Sequence, residues 1–213
     1  MQSLLPVKLK ICGLTSLEDA LLAAQLGADW LGFNFYPASP RYIAPERAAE
    51  IIKVLPRTVE SIGVLVKPFL EAARKIITIT GVQRLQIYEP QDFNDYSQLG
   101  VPVIACYRCK NGKITELNYA SADMVLLDNY AESIFGGTGQ AFNWRWIPTE
   151  LERKKLVLAG GIDTTNILEA LEMIGPAVID VASGSESKPG HKDPEKIKTL
   201  VSQIRIFNQR KDN

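Results

Sequence analysis

Histidine is nearly absent from the 213 residues; His191 is the single one. A Ser-His-Asp triad could therefore exist only with His191 as its base. Any centre needing two or more histidines, such as the His-rich metal sites of many sugar-phosphate epimerases, is excluded outright. Cysteine is scarce as well: Cys12, Cys106 and Cys109 are too few for the disulfide framework of a small secreted domain. Neither sign of charge dominates, because 24 basic and 24 acidic residues cancel. No Lys/Arg-rich run restores a local footprint for nucleic acid. No apolar run approaches the ~20 residues of a membrane span, and the stretch before Gly13 lacks a signal peptide's apolar core and cleavage site. A cytoplasmic protein with neither nucleic-acid nor membrane partners is the expectation. The dinucleotide fingerprint Gly-x-Gly-x-x-Gly is missing too, since the first turn reads Cys12-Gly13-Leu14-Thr15.

What is present is ordinary globular material. Apolar residues make up 46% of the chain, and a chain of this size buries roughly 70% of its unfolded surface without staples. Short apolar runs alternate with amphipathic stretches from end to end. Eight runs read as strands: Val7–Cys12, Asp29–Phe35, Ser61–Val66, Arg84–Tyr88, Val101–Tyr107, Met124–Asp128, Lys155–Ala159 and Val178–Ala182. Thr15 with Glu18 reads as a capping box ahead of Leu17, Leu21 and Ala24, and Pro45 and Pro68 suit first helical turns. Asp163 to Thr165 can cap a helix at Ile167, and Asp193-Pro194 can open the last one. After the fifth and sixth strands the helical pattern is weak, and Asn111-Gly112 looks like a turn. Eight βα repeats with no linker predict one α/β domain over residues 1–213, a closed (β/α)8 TIM barrel. An open doubly wound sheet is the alternative.

In such a barrel the chemistry sits at the carboxyl ends of the strands, and the two-residue period sorts side chains. Leu9 and Ile11 should face the helices, while Lys8, Lys10 and Cys12 face the axis. On the sixth strand Val125 and Leu127 face out; Met124, Leu126 and Asp128 face in. Cys12 and Asp128 are thus inward and last on their strands, one thiol and one carboxyl. As a pair they suit base and acid; singly, each could equally be a small buried hydrophobe and a cap. Ala159-Gly160-Gly161 and Ser183-Gly184-Ser185 follow the seventh and eighth strands, where many barrels hold phosphate on backbone N–H groups. Gly136-Gly137-Thr138-Gly139 is a loop candidate over the mouth, without a P-loop's Gly-Lys-Ser/Thr. Cys106 and Cys109 match Cys-x-x-Cys, but three apart on a strand they should face opposite sides, so no metal is expected there.

Many motifs in one order carry a resemblance. Lys10-Ile11-Cys12-Gly13, Gly27-Ala28-Asp29, Ser39-Pro40-Arg41, Leu126-Leu127-Asp128, Gly136-Gly137-Thr138-Gly139, Ala159-Gly160-Gly161, and Ser183-Gly184 with Glu186 and Lys192-Asp193 stand in this chain in that sequence. Over nearly its whole length the chain resembles the phosphoribosylanthranilate isomerase family of tryptophan biosynthesis. The resemblance implies a cofactor-free Amadori rearrangement of a phosphorylated small-molecule substrate, with Asp128 as general acid and Cys12 as general base. It implies Arg41 for the anthranilate carboxylate, and Gln86, Tyr88, Gly139, Gly160, Gly161, Asp180, Ser183 and Gly184 for further substrate contacts. A monomer or weak homodimer is expected. Beyond the family's pattern, the inward Lys10 could assist the thiol. The alternative is a non-catalytic or broadened barrel for a related aminoaldose phosphate. Two places depart from the pattern: Gln86-Ile87-Tyr88-Glu89 stands where Gln-Leu-His-Gly is usual, and Ser185 where valine is usual. The period turns Tyr88 into the mouth, so it should replace the histidine as a neutral contact to substrate rather than as an acid or base.

Overall fold

The computed structural model of the protein describes residues 6–89, 96–110, 113–114, 122–129 and 142–211. Its strands are β1 (Lys8–Cys12), β2 (Trp30–Asn34), β3 (Glu60–Val66), β4 (Arg84–Tyr88), β5 (Val103–Lys110), β6 (Met124–Asn129), β7 (Leu156–Leu158) and β8 (Val178–Val181). They pair in parallel in the order β4-β3-β2-β1-β8-β7-β6-β5. β4 also pairs with β5, from Leu85↔Val103 to Tyr88↔Cys106, so the sheet closes on itself. That closure is the expected (β/α)8 barrel; an open doubly wound sheet would leave both edges unpaired.

The α-helices on the outside are α1 (Leu17–Leu26), α2 (Pro45–Ile52), α3 (Leu70–Thr80), α4 (Ile167–Ile174) and α5 (Pro194–Lys211). In α4, Ile167, Ala170, Leu171 and Ile174 are buried, an i, i+3, i+4, i+7 stripe laid on the sheet. Gly175 ends it in the left-handed region at φ 60°, its N–H returning to the Leu171 carbonyl. Truncating Ile167 to alanine would cost about 2–5 kcal/mol, the usual range for a buried aliphatic. The first cap differs from expectation by one residue. Ser16, not Thr15, accepts from the Asp19 N–H, while the Thr15 hydroxyl donates to the Gly190 carbonyl at 2.8 Å. Ahead of α4 the expected side-chain cap is absent, because Asp163 instead accepts from the Thr165 N–H and hydroxyl. Asp193 does cap α5, accepting from the Glu195 N–H at 2.9 Å. After β5 the chain forms a short antiparallel return at Lys113–Ile114; the Asn111-Gly112 turn lies outside the described residues.

The barrel interior is filled rather than hollow. Trp30, Ile62, Ile104, Leu126, Val157 and Val178 pack together inside, while the outward set, including Leu9, Ile11, Leu85, Ile87, Val125 and Leu127, packs under the helices. Near the amino end Trp30 has the Lys8 ammonium 5.6 Å and the Arg84 guanidinium 4.9 Å from its ring. Toward the carboxyl end the apolar filling gives way to Lys10, Gln86 and Asp180, and above them to the cleft. Cys106 packs inside and Cys109 outside, on opposite faces of β5.

Candidate active site

Cys12 ends β1, Tyr88 ends β4, and Asp128 stands one residue before the end of β6. All three open on a cleft at the carboxyl face of the barrel. Arg41, Gln86, Gly160, Gly161, Asp180 and Ser183 share its wall. Gly184 lines an adjoining depression, which Gly161 and Ser183 also line. Gly139, with the rest of Gly136–Gly139, lies outside the described residues.

The thiol side is built around a buried cation. Lys10 is wholly buried, and its Nζ donates to Asp180 Oδ2 at 2.7 Å and to Gln86 Oε1 at 2.6 Å. Burial alone would discharge the amine, but the Asp180 carboxylate and the Cys12 sulfur outweigh it and raise its pKa. Gly32 of β2, paired with Cys12, leaves room for both side chains. A Cβ there would lie 2.8 Å from Cys12 Sγ and 3.1 Å from Lys10 Cε. Burial pushes the Cys12 thiol above its ordinary 9.0, and the Lys10 ammonium pulls it back down in part. Asp180 Oδ1 is a buried acceptor with no hydrogen bond among the described residues, on a residue that lines the cleft.

The carboxyl side is buried and tightly held. Asp128 is 2% exposed; its Oδ1 accepts from the Asn129 N–H at 2.7 Å and its Oδ2 from the Tyr88 hydroxyl at 2.9 Å. Burial lifts its pKa to about 6, against the lowering effect of the Tyr88 bond. A carboxyl poised there can hold a proton near neutrality and release it, as a general acid must. Gly160, at φ 83°, lets the seventh loop pass close by: a Cβ on it would meet the Asn129 nitrogen at 2.5 Å and Asp128 Oδ1 at 2.8 Å.

Arg41 arrives at the cleft already paired. Its Nε and Nη2 donate to Glu186 Oε1 and Oε2 at 2.8 and 2.7 Å, a bidentate fork. Lys192 Nζ adds a third cationic bond to Glu186 at 3.0 Å and also donates to the Cys12 carbonyl at 2.6 Å. Against the burial that would push it up, these cations hold the Glu186 carboxyl below its ordinary range. The Nη1 side of the guanidinium makes no hydrogen bond to a described residue. Gly13, at φ 80°, makes the space, since a Cβ would sit 2.4 Å from Arg41 Cδ.

Across the cleft, Gly160 and Gly161 both adopt positive φ. Gly184 is pressed onto the seventh loop, where a Cβ would stand 2.1 Å from the Ile162 carbonyl oxygen. The N–H groups of Gly160, Gly161, Ser183 and Gly184 donate to no acceptor among the described residues. Four backbone donors at the turns after β7 and β8 are a chemically apt cradle for an anion.

The model for the family "N-(5'phosphoribosyl)anthranilate (PRA) isomerase" matches residues 9–203. The chain belongs to this family. The N-(5'-phosphoribosyl)anthranilate isomerase of Syntrophus aciditrophicus is 39% identical over 202 residues, 94% of this chain and 88% of that one. Among solved structures, phosphoribosyl anthranilate isomerase from Thermus thermophilus superposes with a TM-score of 0.84 at 32% identity, covering 94% of this chain and 100% of that one. A phosphoribosyl anthranilate isomerase in complex with reduced 1-(o-carboxyphenylamino)-1-deoxyribulose 5-phosphate superposes with a TM-score of 0.80 at 33% identity, covering 93% and 98%.

The places that depart from the phosphoribosylanthranilate isomerase pattern have structural consequences. Glu89, where the pattern has glycine, is in the left-handed region at φ 45°, a conformation costing a non-glycine residue about 1–2 kcal/mol. Its carboxylate pairs with Lys67 Nζ at 2.9 Å and with Arg108; Lys67 is itself at φ 46°. Ser185 is buried and its hydroxyl donates to the Ala182 carbonyl at 2.7 Å, so the polar replacement is satisfied within its own turn. Sequence reasoning missed Asn34, which also lines the cleft, and the Glu186–Lys192 support of Arg41. Asn34 was within reach, because it ends β2 and faces inward by the same period that located Cys12. The support of Arg41 joins residues 145 apart in sequence, and no local pattern announces it.

Proposed function

We propose that the chain converts N-(5-phosphoribosyl)anthranilate to 1-(2-carboxyphenylamino)-1-deoxyribulose 5-phosphate, with Asp128 as general acid and Cys12 as general base. Asp128 protonates the furanose ring oxygen, the C1–O bond breaks, and a Schiff base forms. The Cys12 thiolate then removes the C2 proton to give an enolamine, which tautomerises to the ketone. Every step is a proton transfer or a bond cleavage that this pair can serve. The observation that carries the reading is the asymmetry of the pair. A carboxyl with raised proton affinity stands on β6, and a thiol beside a fixed ammonium stands on β1, both on one cleft.

The two ends of the substrate meet opposite walls. The free N–H groups of Gly160, Gly161, Ser183 and Gly184 suit the phosphate, and the open Nη1 side of Arg41 suits the anthranilate carboxylate. Asp180 Oδ1 and Gln86 are left for the sugar hydroxyls. No cofactor enters this scheme. We assign the activity to a single barrel domain acting in the cytoplasm as a monomer or weak homodimer, which sedimentation at micromolar concentration would check. The decisive assay follows the loss of anthranilate-type fluorescence with fresh N-(5-phosphoribosyl)anthranilate, beside a related aminoaldose phosphate. Turnover of the first substrate alone supports the reading. Turnover of the second alone, or of neither, overturns it.

A further inference from the structure

The proton transfers above leave the Tyr88 phenol, inward at the cleft, unused. Tyr88 is buried at the end of β4, and its hydroxyl donates to Asp128 Oδ2 at 2.9 Å across the top of the barrel. Gln86 Nε2 approaches the same hydroxyl oxygen at 3.5 Å, and Gln86 Oε1 accepts from Lys10 Nζ. A strip of polar side chains thus runs from the cation beside Cys12 to the carboxyl of Asp128. The phenol is committed to the protein, whereas the sequence suggested a contact to substrate. We propose that Tyr88 is a positioning residue for the acid: its hydroxyl aims the Asp128 carboxyl into the cleft and takes no part in the proton transfers. This rests on the reading of Asp128 as the acid.

Burial raises the phenol's own pKa well above its ordinary 10, so it remains a donor throughout the working range. A donor on Oδ2 favours the carboxylate over the acid. The other charged or titratable groups around Asp128 are Asp180 on β8 and Cys106, Arg108 and Cys109 on β5. With Asp128 near 6 and the Cys12 thiol above 9, the resting one-proton form carries its proton on sulfur. The reactive form, carboxylic acid plus thiolate, has the same total charge and so fills the same pH window. The low-pH limb of kcat/KM therefore follows Asp128, and the high-pH limb follows Cys12.

The test is the pH profile of kcat/KM for wild type, Tyr88→Phe, Tyr88→His and Asp128→Asn. Tyr88→Phe keeps the buried ring and should move the low-pH limb upward by about one pH unit, the usual effect of one hydrogen bond to a carboxylate. Tyr88→His restores an N–H donor and should return the limb to the wild-type position or below it. A Tyr88→Phe limb that stays in place while KM rises would make Tyr88 a substrate contact and overturn the inference. Loss of turnover by several orders of magnitude in Tyr88→Phe would make it a proton carrier, with the same result. Should Asp128→Asn remain active, the reading of the acid fails instead, whatever Tyr88→Phe does.

Discussion

Replacing Asp128 by asparagine should stop turnover and, near neutral pH, stabilise the fold. Burial raises the carboxyl from its ordinary 3.8 to about 6. The folded chain therefore binds this proton more tightly than the unfolded chain does, and ionising the group costs stability. The cost is absent below 3.8, grows as pH rises toward 6 and is complete above it. A gap of about two pH units at 1.36 kcal/mol each makes the full cost on the order of 3 kcal/mol. Asparagine carries no charge to desolvate. Its carbonyl can still accept from the Asn129 N–H, and its amide can donate to the Tyr88 oxygen once the hydroxyl proton turns away. Urea unfolding at pH 7.5 should show the variant more stable by about 2–3 kcal/mol, and at pH 4 the two proteins should be nearly equal. A stability difference that is the same at both pH values would refute the argument that Asp128 is held as a strained, proton-retaining acid.

Three further outcomes follow from the same site. Arg41→Ala should weaken binding of the carboxylate end by about 2–4 kcal/mol while inorganic phosphate inhibits as before. The fold should survive because Lys192 still neutralises Glu186; a fall in phosphate affinity would mean the substrate lies the other way round. Gly184→Ala would force a Cβ onto the Ile162 carbonyl and part the turns after β7 and β8, an overpacking of about 1–3 kcal/mol, so phosphate inhibition should weaken about tenfold if these turns hold the phosphate as proposed. Unchanged phosphate inhibition would place the anion elsewhere. Lys10→Met should slow alkylation of Cys12 by iodoacetamide at pH 7.5, read by mass spectrometry of the Cys12 peptide. It should also move the high-pH limb upward, because the thiolate loses its fixed cation. An unchanged alkylation rate would remove Lys10 from the thiol's environment. The variant also leaves Asp180 buried without its partner, and losing one member of a buried pair costs about 3–5 kcal/mol.

The barrel and the placement of Cys12 and Asp128 at its mouth were legible from local signals. Alternation along β1 and β6 is a property of neighbouring residues, and it put Cys12, Lys10 and Asp128 inside and Leu9, Ile11, Val125 and Leu127 outside. The bounds of β4 were read correctly for the same reason, as was the split of Cys106 from Cys109. What stayed hidden depends on distant partners. The destination of the Tyr88 hydroxyl is set by β6, 40 residues away, so the period could aim the ring but not choose its acceptor. Arg41's fork on Glu186 arises only when the second and eighth units meet, and the fit of Gly184 against Ile162 only when the seventh and eighth do. The misplaced cap at α1 has a closer cause. Thr15 and Ser16 are adjacent hydroxyls, and the tie from Thr15 to Gly190, 175 residues on, decides which of them caps.

The thiol is the group on which the proposed chemistry turns. Cys12→Ala removes the only base proposed for the C2 proton and changes neither Asp128, Arg41 nor the turns after β7 and β8. Loss of substrate fluorescence measured beside wild type should show kcat lowered by at least ~100-fold, the usual scale of a lost general base. Binding of a reduced product analogue should stay nearly intact. Turnover close to wild type in Cys12→Ala would contradict the account, because the C2 proton would then leave by another group.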